Sequence, residues 1–238
     1  MRKRTLVSGS LLLGAALLAA PAARALTYRS GDLLFVAYQP QGREFIADLG
    51  PLQTYLRAGG PVPIAQVSAE DLREAFGRLP QEIRIALVAA DGPDGYIASV
   101  GQDGFGSSGT ASIGSAMGAS SQIRALGGNV EGLSRSLAGN DNAGLFEFGE
   151  TGSYQTTLDA TDAGSLGANV PWSVETMWNG GPLTLPVVQA RFNPYTGALG
   201  APSEVGRLQV ASDGSLTWLP SRGGAGSMAD TGRTRRTQ

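Results

Sequence analysis

Few side chains in this 238-residue chain can do chemistry, and the missing types decide more than the present ones. There is no Cys and no His, and Lys3 is the only Lys. A thiolate nucleophile, a thiolate metal site and a thiol redox cycle are thereby excluded, as are the imidazole and amine bases that usually activate Ser. Carboxylates and Tyr remain as acid–base groups, which confines any catalysis to carboxylate-pair hydrolysis or oxygen-ligated metal chemistry. Asp32 with Asp48 or Glu44 is the pair to consider, since these residues flank neighbouring expected strands. Hydrolysis of a glycosidic bond needs two such carboxyl groups roughly 5 to 10 Å apart inside a cleft. The plainer reading is that both Asp residues flank strands, where turn and cap hydrogen bonds favour Asp. Aromatic rings offer a second chemistry: Trp172, Trp178 and Tyr195 could stack on sugar rings, although Trp in a domain of this size more often packs in the core or at an edge.

Three other groupings carry less. Asp230-Thr231-Gly232 spells the aspartic protease triplet, but no apolar strand leads into it and its surroundings are rich in Gly and Arg. Gly139-Asn140-Asp141-Asn142 and Asp159-Ala160-Thr161-Asp162 gather oxygens as a calcium loop does, yet the spacing matches no cation loop and these are ordinary turn residues. The expectation is therefore no catalytic residue, no metal and no cofactor.

Periodicity and turn punctuation indicate what must position these residues. Leu33 to Tyr38 and Phe45 to Leu49 are β-prone runs around Gln39-Pro40-Gln41-Gly42, a first hairpin. Ser68 with Ala69-Glu70-Asp71 reads as a helix N-cap, and Leu72, Phe76 and Leu79 follow at helical spacing before Pro80. Ile83, Ile85 and Leu87 alternate with Arg84 and Ala86, and Asp91-Gly92-Pro93-Asp94-Gly95 turns the chain into Tyr96 to Val100, a second hairpin. Residues 101–118 read as a Gly- and Ser-rich loop or linker. Ala116, Ala119, Ile123, Leu126, Val130, Leu133 and Leu137 then recur every three or four residues, a helical apolar stripe. Gly127 and Gly128 interrupt it at about 1 kcal/mol each against Ala, so a marginal helix that can break there is expected. Its sparse charge pairing favours one helix or a broken pair covering a sheet over a coiled-coil seam. Leu183 to Phe192, Val205 to Ala211 and Ser215 to Leu219 read as strands, the last two joined by Ser212-Asp213-Gly214. Leu208, Val210, Leu216 and Trp218 should share the buried face, with Arg207, Gln209 and Thr217 outward. Pro220 closes the domain.

The start of the chain reads as an export signal: Arg2, Lys3 and Arg4, an apolar run from Leu6 to Ala20, and the small-x-small sequence Ala23-Arg24-Ala25. Cleavage is expected after Ala25. The apolar run falls short of the roughly twenty residues of a spanning helix, so no membrane span is expected after cleavage. Removing residues 1–25 leaves 14 basic against 20 acidic residues, a net charge of −6. Every remaining basic group is Arg, and several (Arg222, Arg233, Arg235 and Arg236) lie in the tail, so no basic face is left for nucleic acid.

The segment from Tyr28 to Gly50, opening on Gly31-Asp32-Leu33-Leu34-Phe35 and ending on Phe45-Ile46-Ala47-Asp48-Leu49-Gly50, resembles the opening of exported bacterial proteins of the PEP-CTERM type. Val205-Gly206-Arg207-Leu208-Gln209-Val210 through Asp213-Gly214-Ser215-Leu216-Thr217-Trp218 is similar to the closing hairpin before their sorting signal. The Ser-, Ala- and Gly-rich stretch from Ser120 to Ser136 also sits where such proteins often carry one. The sorting tail departs from the pattern: Arg233 to Arg236 match its basic end, but the Pro-Glu-Pro motif and the apolar helix are missing. The protein is then either released rather than sorted, or similar in its exported domain alone. The resemblance implies an envelope or extracellular-matrix setting associated with exopolysaccharide, and it transfers no catalytic residue.

The combined expectation is a signal peptide over 1–25, one mainly β domain over 26–220 and a disordered tail over 221–238. The domain is read as a two-layer β-sandwich with a helical insertion, with α+β as the alternative. Its expected role is that of a non-enzymatic structural or adhesive protein, periplasmic, on the cell surface or extracellular, whose partners are exopolysaccharide or other envelope proteins. A glycan-binding module using Trp172, Trp178 or Tyr195 is the alternative, and a carboxylate-dependent hydrolase the second.

Overall fold

The computed structural model describes residues 26–77, 82–93, 95–101, 113–133, 135–137, 140–158, 170, 172–191 and 200–221. β1 (Asp32–Tyr38) and β2 (Arg43–Pro51) form the first expected hairpin, closed where the Gly42 N–H donates to the Gln39 carbonyl at 2.9 Å. α1 (Leu52–Leu56) and the short β3 (Val62–Ile64) lead to α2 (Ala69–Phe76). α2 begins on the expected Ser68 cap, which is a reciprocal capping box with Asp71. It stops at Gly77, whose φ of 76° ends the helical path, and Leu79 and Pro80 lie outside the described residues. β4 (Ile83–Ala90) and β5 (Gly95–Ser99) form the second expected hairpin.

α3 (Ile113–Leu133) is one 21-residue helix, so the chain does not break at Gly127 and Gly128. The reason is tertiary. The ring of Tyr28 lies where a Cβ on Gly127 would be, so the glycine allows a close approach that no other residue would. α3 also starts inside the stretch read as a loop, of which residues 102–112 lie outside the described residues. It ends before Leu137, which belongs instead to β6 (Arg135–Leu137), paired with β7 (Asn140–Glu147). Asn140 to Asn142, expected as a turn, therefore open a strand. α4 (Tyr154–Thr157), β8 (Thr176–Trp178), β9 (Leu183–Arg191), β10 (Ser203–Val210) and β11 (Leu216–Pro220) complete the described chain. In the last hairpin Leu208 faces Trp218 and Val210 faces Leu216, all buried, with Arg207 and Gln209 exposed, as expected. The leader over 1–25 and the tail over 222–238 lie outside the described residues.

Among the described residues the strands form one 11-stranded antiparallel sheet in the order β3-β11-β10-β9-β5-β4-β1-β2-β7-β6, with β8 added on β4. The mainly β expectation with a helical insertion is met, and the two layers are two arms of a single curled sheet. The inner core shows the curl, because Leu33 and Phe35 of β1 share it with Leu208 of β10 and Trp218 of β11. α1 closes it with Tyr55, whose ring meets Trp218 edge-on at 5.7 Å. The central strands are buried on both faces. Along β1, Leu33, Phe35 and Ala37 point inward, while Leu34, Val36 and Tyr38 point to a separate outer core. That outer core is covered by Ala119, Ile123, Leu126 and Val130 of α3 and by Val170, Trp172 and Val174. Each large apolar side chain so buried contributes on the order of 1.5–3 kcal/mol, which offsets the weak helix propensity of the Gly pair. Among the described residues no helix is long and apolar enough to cross a membrane.

Candidate functional site

The carboxylates singled out in the sequence occupy even positions of β1 and β2, so they turn toward the outer core. The pairing is antiparallel: Leu34 lies opposite Asp48 and Asp32 opposite Pro51, with an irregularity between. This brings Asp32 and Asp48 together, and their side chains share a hydrogen bond. Asp32 Oδ2 also accepts from the Arg29 N–H at 2.9 Å, and Asp48 Oδ1 from the Gly50 N–H at 2.7 Å. Gly50 reaches that position with φ at 85°. The two residues are only 6% and 5% exposed. Burial, then the charge and hydrogen bond of Asp32, push the Asp48 carboxyl up to about 7, against the pull of the Gly50 N–H and of Arg29. Asp48 is therefore the carboxyl that this environment favours in its protonated form below neutrality.

Tyr28 lies beside this pair, 8% exposed, with its hydroxyl buried. Burial, followed by the nearby Asp32 and Asp48 charges, pushes the phenol up to about 12. A carboxyl raised in this way beside a second one is acid–base equipment. Cutting a glycosidic bond, however, needs the carboxyls on either side of the bond, and these two touch each other beneath other side chains. The carboxylate pair of the hydrolase alternative is thus closer together and less accessible than that chemistry requires.

Glu44 does not join them. It lies four residues from Asp48 on the same strand, about 13 Å away at ~3.4 Å per residue. Fully buried, it accepts from Ser153 Oγ at 2.6 Å, from the Tyr154 N–H at 2.6 Å, and from the Gln155 N–H at 3.2 Å and Nε2 at 2.8 Å. Burial raises its pKa while these donors pull it back. Gln155 extends the tie, since its Oε1 accepts from the Gln41 N–H at 2.6 Å. Glu44 therefore fastens α4 to the first hairpin. Only its place among apolar strand residues marked it, and no local pattern in the sequence identifies its partners.

The two described aromatics proposed for sugar stacking are buried, which corrects that expectation. Trp172, 4% exposed, lies against Tyr96 with ring centroids 5.9 Å apart and donates from Nε1 to the Ser99 carbonyl at 3.0 Å. Trp178, 1% exposed, belongs to the inner core and donates to the Gly181 carbonyl at 2.6 Å. Neither presents a ring face to a ligand, because each completes a hydrophobic core. Tyr195, Asp159 to Asp162 and Asp230-Thr231-Gly232 lie outside the described residues. Asn140, from the other oxygen-rich group, uses its amide to cross-link α2 and β7, donating to the Gln66 carbonyl at 3.0 Å and to Asp71 Oδ2 at 2.9 Å. Among the described residues no three His, Cys, Asp or Glu side chains converge as metal ligands.

The site that sequence reasoning missed is a surface cavity of about 1020 Å³ at the end of the sheet. The connection from α1 to β3 supplies one wall with Leu56, Arg57 and Pro61, and β10 and β11 supply the other with Val205 and Leu219. Gly59-Gly60-Pro61 is the one local sign of the sharp connection, and it gives no hint of what stands opposite. Arg207 at the rim is paired with Glu204 at 2.8 Å, whereas Arg57 forms no ion pair with the described residues. The cavity offers apolar walls and a cation. Compared with protein-family models, with curated proteins and with solved structures, the chain matches none.

Proposed function

We propose that this protein is exported and acts as a structural or adhesive component of the cell envelope or extracellular matrix, without catalytic activity of its own. The observation that carries the reading is how the chemistry-bearing side chains are used. Glu44 is saturated by donors, Asp32 and Asp48 hold each other, and Trp172 and Trp178 are core residues. What the described molecule turns outward is the cavity beside Arg57, a surface suited to contact.

That cavity favours a second reading, a glycan-binding module of the exopolysaccharide matrix, with recognition by Arg57 and the apolar walls. Cosedimentation of residues 26–238 with the extracellular polysaccharide and with the envelope fraction of the producing cell tests both. Saturable binding to the envelope fraction supports the structural reading. Binding to the polysaccharide that weakens about 10-fold in Arg57→Gln, roughly 1.4 kcal/mol, supports the second. Binding to neither at any salt concentration overturns both.

A further inference from the structure

The sheet ends unevenly beside the cavity of about 1020 Å³. β3 pairs with β11 only from Ile64 opposite Leu216 to Val62 opposite Trp218, whereas β11 continues to Pro220. On its other side β11 stays paired with β10: Pro220 lies opposite Gly206, and the Ser221 N–H donates to the Val205 carbonyl at 3.3 Å. Backbone groups of successive residues turn to opposite edges of a strand. With Ser221 turned to β10, the Pro220 carbonyl is turned to the other edge, where β3 has no residue to meet it. Gly59, Gly60 and Pro61 precede β3 and line the cavity instead of pairing there.

The cavity thus presents three groups in one place. The open edge offers a backbone acceptor, the half-buried Leu56, Val205 and Leu219 offer an aliphatic wall, and Arg57 offers a cation. Arg207 and Glu204 offset each other at 2.8 Å, so the charge left at the site is positive. Among the described residues no aromatic ring lines the cavity, so a sugar finds no face to stack on. The end of a polypeptide carries the three matching groups within one or two residues: a backbone N–H, an apolar side chain and a carboxylate. An extended segment laid along β11 from the Pro220 end also runs into Pro61 and Val62, which already hold that line, so a chain end fits where a passing segment does not. We propose that the cavity receives the C-terminus of another polypeptide, with an aliphatic last residue against Leu56, Val205 and Leu219 and the terminal carboxylate on Arg57. The inference rests on the contact role given above for this cavity and names the chemistry of the partner.

The test titrates the full chain into dye-labelled hexapeptides, Gly-Ser-Thr-Gly-Val followed by Leu, Ile, Val or Ala, and follows fluorescence anisotropy. Saturable binding is expected for the free acids. Binding should weaken about 10-fold when the best of them is made as its C-terminal amide, and again when its last two residues become Ser-Ser. Arg57→Gln should weaken the free acid about 10-fold and leave the amide unchanged, which separates a contact with the carboxylate from a general loss of the site. The acid–amide comparison on the wild-type chain carries the test by itself should that variant fail to fold. Equal binding of acid and amide, or no binding of any free acid, overturns the inference. Tighter binding of tetragalacturonate than of the peptides overturns it in favour of a glycan. Cosedimentation with the envelope fraction reads the structural or adhesive role separately, so binding there without peptide binding overturns only the chain-end assignment.

Discussion

Glu44 and the Asp32–Asp48 pair present two solutions to the same problem on one face of one hairpin. Each is a carboxyl group taken out of water beneath the outer core. Glu44 meets the cost with donors: the Ser153 hydroxyl, two backbone N–H groups and the Gln155 amide surround it. Asp48 has the Gly50 N–H and a second carboxyl as its neighbours, and two carboxylates side by side are tolerated only when one keeps a proton. The first solution is a structural tie, the second a titrating one. Chemistry-bearing residues at similar depth can therefore differ in kind, and only the neighbours distinguish them.

Removing Glu44 should break the comparison most severely. Glu44→Ala leaves buried donors on Ser153, Tyr154 and Gln155 without an acceptor, at an expected cost of about 3–5 kcal/mol in urea unfolding. A loss below about 1 kcal/mol would show that α4 is not anchored there. The Asp pair should respond to pH instead. The folded pKa of Asp48, about 7, lies above its unfolded value near 4, so the stability this carboxyl contributes is fully present below pH 4 and is lost as pH rises through 7. Stability should therefore slope downward between those values. Asp48→Asn should flatten this slope. An unchanged pH profile in that variant would place the titrating proton elsewhere.

Gly127→Ala compares the covering helix with the sheet it covers. The new methyl overlaps the Tyr28 ring and should destabilise by about 1–3 kcal/mol, despite the better helix propensity of Ala. A gain in stability would mean that Tyr28 docks elsewhere. The smallest effect is expected at the cavity, where Arg57→Gln should change stability by less than about 0.5 kcal/mol, because the side chain is exposed and forms no ion pair with the described residues. A larger change would assign Arg57 to the fold rather than to binding.

The hairpins were legible because their information is local. Alternation in Ile83 to Leu87 and the Asp213-Gly214 turn specify strand, face and register within a few residues. The region after α3 was not legible for the same reason in reverse. Leu137 continues the helical spacing of α3 by coincidence, and the Asn- and Asp-rich start of β7 resembles a turn. Both segments become strands because β2 offers an edge, with Phe45 opposite Leu145 and Ala47 opposite Ala143, and because Leu137 is buried in the inner core. Trp172 and Trp178 show the limit at the candidate site. An indole in an irregular segment reads alike whether it meets a sugar or a core.

By itself the sequence determined which chemistry is excluded, through its missing Cys and His, and where local hairpins and the covering helix form, through periodicity and turn residues. Only the tertiary structure decided that one sheet curls over itself, that Gly127 makes room for Tyr28, that Glu44 is held by residues more than a hundred positions away, and that burial beside Asp32 raises the Asp48 carboxyl. The physical reason is that turn type and side-chain face depend on backbone geometry over a few residues. Burial and the ionisation of a carboxyl depend on whatever the rest of the chain packs against it.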